Sequence, residues 1–232
     1  MPRKLKILHL TASLAIGGAQ RLILGLAENT NHAEFEIYVY FFGKFQEISF
    51  QAEFEALDDV NLSICQSDHF YNLKNLRDLV EFIKHHKINI VQTHMIDADI
   101  VGRIAAHLVD IPVISTLQNE PRSYDSNRFD RRWLGRLTAR HLTTHSVAVS
   151  EHIRQNFIMN WKIPEDKIST IYNAVALDKF RSIPPLPREN SSVSALTITN
   201  IASLTEQKAQ HILLESARLI VREHPETHFL IV

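Results

Sequence analysis

The chain has 232 residues, of which 45% are hydrophobic and 22% charged, and its formal net charge is −1. Such a composition belongs to a soluble globular chain with room for one large domain or about one and a half, at roughly 150 residues each. The near-neutral charge excludes a global field for nucleic acid or anionic lipid, so any partner of that kind must be held by a local patch, and no nucleic acid is expected.

The single cysteine, Cys65, excludes an internal disulfide framework and a cysteine-based zinc site. It fits a reducing compartment, and the expected location is cytoplasmic. His9, Thr11 and Ser13 interrupt the apolar opening, which argues against a secretory leader. No run approaches the roughly 20 apolar residues that a spanning helix needs, so any membrane contact is expected to be peripheral.

Short apolar runs alternate with helical patterns from the start, the signature of βαβ units around a parallel sheet. Lys6 to Leu10 reads as a strand, and Ala19 to Glu28, with Leu22, Ile23, Leu26 and Ala27 at helical spacing, as the helix after it. Ile37 to Phe42 is a second strand. Asn72 stands as a cap ahead of a helix with Leu73, Leu76, Leu79, Val80 and Ile83 on one face, ending near His85 and His86. Asn89 to Thr93 is a buried strand, Asp99 to Leu108 a helix with Ile100, Ile104 and Leu108 inward, and Pro112 to Thr116 a returning strand.

After a basic stretch from Arg122 to Arg140, Ser146 to Val149 is a strand and Ser150 caps a helix starting at Glu151. Ile168 to Tyr172 closes the sheet before a turn at Asn173. The run Ile183-Pro184-Pro185-Leu186-Pro187, followed by Arg188-Glu189-Asn190-Ser191-Ser192, reads as a linker. The expected plan is a Rossmann-like domain over 1–182, a linker over 183–192 and a second domain over 193–232. In that last part Ala195 to Ala202 is a strand, Ala209 to Glu223 a helix and Phe229 to Val232 a strand. About forty residues cannot bury a core of their own, so this second domain is expected to be begun and truncated.

Several residues could carry chemistry. Gly17 and Gly18 precede a helix N-terminus, whose free N–H groups and dipole suit a phosphate, although a merely tight turn looks the same. His94 follows the strand ending at Thr93, at the carboxyl edge where open α/β sheets place ligands. Its neighbours Asp97 and Asp99 have the spacing of a metal-holding pair but fit a helix start better, and no metal is expected. Gln118 and Glu120 leave the next strand at the same edge, Glu120 being the candidate base. Lys208 joins a later strand to a helix, where an ammonium would neutralise a leaving phosphate. Arg122, Arg128, Arg131, Arg132, Arg136 and Arg140 run among Phe129, Trp133, Leu134 and Leu137, a pattern for an anionic membrane surface, an acceptor wall or a solvated helix face.

In chain order these pieces resemble the retaining glycosyltransferases of family 4, with the GT-B architecture of two facing Rossmann-like domains. The resemblance spans essentially the whole chain. It rests on Ile7-Leu8-His9-Leu10 with Gly17-Gly18-Ala19-Gln20, on Thr93-His94 with Ala98-Asp99-Ile100-Val101-Gly102-Arg103, and on Val149-Ser150-Glu151. Its most specific part is Pro164-Glu165-Asp166-Lys167-Ile168 with Ile171-Tyr172-Asn173-Ala174-Val175. Ile201-Ala202-Ser203-Leu204 and Gln207-Lys208 are similar to the family's Gly-Arg-Leu…Gln-Lys-Gly element, with Ser203 at the arginine position. Gln118 stands where many members have a histidine, and Ala176 where an aspartate is common.

The resemblance implies transfer of a hexose from a nucleotide diphosphate sugar to a glycan or lipid-linked acceptor with retention, and no cofactor. It puts Gly17, Gly18, Asn173 and Lys208 at the donor and His94, Gln118 and Glu120 at the sugars. Two alternatives remain at this stage: a catalytically silent fragment acting as a binding module, and a sugar-nucleotide epimerase of the same architecture.

Overall fold

The structure is a computed structural model and describes residues 3–43, 49–67, 71–120, 129–181 and 196–232. The expected linker at 183–192 and the arginines Arg122 and Arg128 lie outside these residues. Two compact units appear, Met1–Asp178 and Lys179–Val232.

The first unit is built on strands β1 (Leu5–Thr11), β2 (Phe35–Gly43), β3 (Val60–Gln66), β4 (Ile90–His94), β5 (Val113–Leu117), β6 (His145–Ala148) and β7 (Ile168–Thr170). They form one seven-stranded sheet in the order β3-β2-β1-β4-β5-β6-β7, every neighbouring pair parallel. This is a Rossmann-like sheet with its topological switch between β1 and β4. Its helices are α1 (Gly18–Asn29), α2 (Gln51–Glu55), α3 (Leu73–His86), α4 (Ile96–Leu108), α5 (Phe129–His141) and α6 (Glu151–Trp161), and the four-residue α7 (Asp178–Arg181) falls where the chain passes from one unit to the next.

One face of β1 and β2 packs Ile7, Ile37, Val39 and Phe41 against Ile23, Leu24 and Ala27 of α1 and Phe54 of α2. The other packs Leu8, Leu10, Tyr38 and Tyr40 against Leu79 and Ile83 of α3 and Ala98, Val101 and Ala105 of α4. A third cluster joins Leu117 and Ala148 to α4, α5 and α6 through Ile100, Ala139, Ile153, Phe157 and Trp161. Local signals set the helix starts: the Asn72 side chain accepts from the Asn75 N–H and that of Ser150 from the Ile153 N–H, at the N-termini of α3 and α6. Gly102 lets α4 lie close to the sheet, since a Cβ there would stand 2.4 Å from Thr93 Cγ2 and 2.6 Å from Leu10 Cδ2.

The structure departs from the expectations at several points. α4 begins at Ile96, three residues before Asp99. Leu73 and Leu108 are exposed rather than inward, each being the terminal residue of its helix. α2 and β3 are additional elements.

The second unit holds β8 (Thr197–Asn200), α8 (Gln210–Glu223) and β9 (His228–Ile231), with β8 and β9 parallel. This is one βαβ unit. Among the described residues no helix is long and apolar enough to cross a membrane.

Candidate functional site

The carboxyl ends of β1 and β4 meet at the switch point, and the residues there are polar although the sheet buries them. Register pairs His9 with Gln92, Thr11 with His94, and His94 with Thr116, so all five side chains share the sheet face that α1 covers. His94 is the last residue of β4 and fully buried, not a loop residue beyond it. Its Nε2 lies 3.2 Å from His9 Nδ1, while Gln92 Nε2 donates to Thr116 Oγ1 at 3.0 Å. Burial pushes His9 down to about 4 and holds His94 well below the usual imidazole range, the neighbouring ring adding to the effect. His94 Nδ1 is buried with no hydrogen-bond partner among the described residues.

Gly17 is the N-cap of α1, in extended backbone with no side-chain capping bond, and the first turn carries no acidic residue. The first amides of α1, which have no side-chain cap, therefore follow the turn after β1, an arrangement that favours an anion. Neither glycine has left-handed backbone. A Cβ on Gly17 would stand 2.8 Å from Gln20 Oε1, whereas one on Gly18 would meet nothing within 4 Å. Gln20 is buried, and its Nε2 donates to the Ser13 carbonyl at 3.2 Å and to Met95 Sδ at 3.7 Å, tying the turn after β1 to the turn after β4. Met95 itself sits at φ 72°, ψ 151°, a region sparsely populated by residues with a Cβ and strained by about 1–3 kcal/mol.

Asp97 and Asp99 do not converge. The Asp97 carboxylate accepts from Arg131 Nη2 at 2.7 Å and from the Tyr71 hydroxyl; burial and that carboxylate both push the Tyr71 hydroxyl upward. Asp99 points into the core, accepts from Thr93 Oγ1 at 2.5 Å and pairs with Arg103 at 3.3 Å. Burial raises the Asp99 carboxyl, opposed by the Arg103 guanidinium. Arg103 is fully buried and also donates to Ser115 Oγ at 2.9 Å and to the Gly135 carbonyl at 3.3 Å, so β4, β5, α4 and α5 share one polar network.

At the ends of β5, β6 and β7, Asn173 Nδ2 donates to Gln118 Oε1 at 3.3 Å. The Gln118 Nε2 group is buried and without a partner among the described residues. Glu120 Oε1 lies 2.6 Å from His152 Nε2 in the first turn of α6, and Thr170 Oγ1 donates to Glu151 at 2.7 Å. Gln118 and Asn173 are thus brought together, as are His94 and the α1 turn through Met95 and Gln20. Lys208 lies in the second unit, exposed in a short 3-10 turn after β8.

His9, Gln20, Arg103 and His152 were not singled out as candidates. His9 meets His94 only through the pairing of β1 with β4, which spacing along the sequence does not encode. His152 and Arg103 join residues far apart in sequence and carry no local signal.

The model of the family described as Glycosyltransferase Family 4 matches residues 16–179. The chain is similar to the UDP-Gal:alpha-D-GlcNAc-diphosphoundecaprenol alpha-1,3-galactosyltransferase of Escherichia coli, 26% identical over 247 aligned positions that cover 99% of this chain and 62% of that protein. In fold it is similar to the Anabaena protein HepE in complex with UDP and glucose, with a TM-score of 0.73 at 17% identity over 98% of this chain and 60% of that one. A putative UDP-N-acetylglucosamine 2-epimerase from Listeria monocytogenes has a TM-score of 0.63 at 16% identity, over 99% of this chain and 62% of its own. The chain spans about three fifths of the length of these proteins.

Proposed function

The chain belongs to glycosyltransferase family 4, and from that membership we propose that it serves the transfer of a hexose from a nucleotide diphosphate sugar to a glycan or lipid-linked acceptor, with retention of configuration. The observation that carries this reading is the family match from the glycine turn to the end of the first unit. The galactosyltransferase relative, whose name gives a diphosphoundecaprenol-linked sugar as acceptor, supports a lipid-linked acceptor and a place in lipopolysaccharide or exopolysaccharide assembly at the inner, cytoplasmic face of a membrane.

On this reading the α1 N-terminus receives donor phosphate. Its amides and dipole stabilise the charge that develops as the sugar–phosphate bond breaks, and Lys208, on the second unit, is a separate candidate ammonium for phosphate. The Gln118 amide, oriented by Asn173, offers an N–H donor that does not titrate. Glu120, held by His152, is the group that accepts the acceptor's hydroxyl proton. His94 acts from below the surface, holding the end of β4 beside β1 through His9, while Gln20 ties Met95 to the α1 turn.

The test is transfer from a panel of UDP-sugars to a lipid-diphosphate-linked N-acetylhexosamine, with the anomeric configuration of the product read by NMR, on this chain and on Gly18→Ala. Retained configuration and a donor KM raised on the order of tenfold in the variant, with unchanged thermal stability, are expected. An inverted product removes the retaining mechanism. Interconversion of the free UDP-sugar without acceptor favours the epimerase, and a folded chain that binds acceptor without turnover favours a binding module.

A further inference from the structure

The two edges of the first unit's sheet differ in kind. β7 is three residues long, and a short edge strand offers little to an incoming chain. β3, at the other end of the strand order, runs for seven residues, Val60-Asn61-Leu62-Ser63-Ile64-Cys65-Gln66, with no charge, proline or glycine among them. An edge of that kind is a template for another strand. Just past it, the Ser67 N–H donates to the Gly43 carbonyl of β2 at 3.0 Å. Backbone groups alternate in direction along a strand, so those of Asn61, Ser63 and Cys65 turn toward β2 and those of Leu62 and Ile64 turn outward. Among the described residues no strand pairs with that outer side.

Both faces of the strand suit a neighbour. On the α2 side, Leu62 and Ile64 are half-buried and extend the cluster that α1 and α2 cover. On the α3 side, a groove of about 480 Å³ opens beside the strand, its lining including Ser63, Cys65, Asp78, Phe82 and His85. The strand's two ends carry opposite charge. Asp58 and Asp59, both exposed, form the turn before it. After it, Asn75 Nδ2 donates to Ser67 Oγ at 2.8 Å, which seats the first turns of α3 there. Lys74 and Arg77 protrude from those turns with side chains 71% and 68% exposed, whereas Asp78, which both of them pair with, is set back at 24%.

We infer that β3 pairs with β3 of a second copy of this chain, antiparallel about a two-fold axis through Ser63. Such an interface is self-complementary, the same patch serving both copies. Leu62 of each copy then stands opposite Ile64 of the other. Their outward groups exchange N–H···O=C bonds in both directions, and their side chains form an apolar cross-strand pair on the α2 side. A slip by two residues leaves one end of each strand unpaired. Antiparallel order also brings Asp58 and Asp59 of one copy toward Lys74 and Arg77 of the other, whereas a parallel pair sets the two acidic turns side by side. A second copy thus matches the strand in length, in its apolar pair and in the charge of its ends. The inference concerns association of the chain and not sugar transfer, so either idea can fail without the other.

The experiment is sedimentation equilibrium of the chain over a range of concentrations, where a mass of twice 26.7 kDa is expected at the upper end. Ser63→Lys sets two ammonium groups against each other at the axis and is expected to raise the dissociation constant on the order of a hundredfold. Thr170→Lys, on β7, is expected to leave it unchanged. Circular dichroism checks the fold; should Ser63→Lys unfold, Leu62→Pro is read instead, since it removes an outward N–H and spares the ladder to β2. Cross-linking reads the register. Position 61 faces Cys65 of the second copy, so Asn61→Cys is expected to give a disulfide-linked dimer with oxidised glutathione, which takes up the two electrons and two protons that the thiol pair loses. The two copies of Cys65 lie about 14 Å apart, beyond the roughly 7 Å that a disulfide bridges, so the unaltered chain stays unlinked, as does Asn61→Cys combined with Cys65→Ser. A chain monomeric up to its solubility limit, a dimer untouched by folded Ser63→Lys, or an Asn61→Cys dimer that does not cross-link would each overturn the inference.

Discussion

A histidine sealed inside a parallel sheet stays neutral because nothing there replaces the water that would solvate its charge, and His9 and His94 add mutual repulsion to that cost. In the unfolded chain an imidazole titrates near 6.5, while folded His9 is held down to about 4 and His94 well below its ordinary value. Below the unfolded value the unfolded state takes up protons that the folded state refuses. Stability therefore falls as pH drops from 6.5 toward 4, and well above 6.5 neither ring contributes. Each histidine steepens the loss by about 1.4 kcal/mol per pH unit in that window. Urea unfolding at about pH 7.5 and 5.5 is expected to show a drop on the order of 2–3 kcal/mol, smaller in His94→Gln; equal stability at both pH values would show that the pair is not held neutral. At this scale the sequence was legible in part. Gly17, Gly18, His94, Gln118 and Glu120 were marked by their positions after strands, but the partners that hold them, His9, Gln20 and His152, arise from register and long-range packing that spacing does not encode.

At the scale of elements, α4 and α5 are joined to the sheet by a charge that no local pattern announces. Arg103 and Asp99 stand four apart on α4, which reads as a surface ion pair, yet both are buried because Gly102 between them brings the helix against Leu10 and Thr93. Removing one partner leaves the other charge uncompensated, so Arg103→Met is expected to lower unfolding stability by about 3–5 kcal/mol. The double variant Asp99→Leu, Arg103→Met, which removes both charges, is expected to recover much of that loss, as read by chemical denaturation; a double variant as unstable as the single one would mean that packing and not charge sets the cost. The strands β1, β2 and β4 to β7 were legible because each is a short segment with apolar residues set between helical patterns, the alternation of βαβ units. β3 was not. It is an edge strand with only partial burial, and its alternation of Val60, Leu62 and Ile64 lies between polar residues after a five-residue helix.

At the scale of the whole molecule the two units differ in what they bury. Met1–Asp178 contains three packed clusters, whereas α8 has no buried residue, and Leu214, Leu219 and Leu230 are exposed. Thr227 is the one buried residue between 196 and 232 among those described. A 14-residue helix with no fully buried residue is marginal in water, and so is a two-stranded sheet. The scarcity of burial is a tertiary fact that the amphipathic pattern of α8 conceals, since Leu213, Ala217 and Ile220 have the spacing of a core face yet are only half-buried. Native-state hydrogen exchange read by mass spectrometry separates the two cases. Amides of β8, α8 and β9 are expected to open with free energies on the order of 0–2 kcal/mol, while those of β1, β2 and β4 exchange only through global unfolding. Equal protection in both units would mean that 196–232 gains stability from contacts beyond its own βαβ fold, and Lys208 would then be a fixed charge rather than one carried on a locally opening segment.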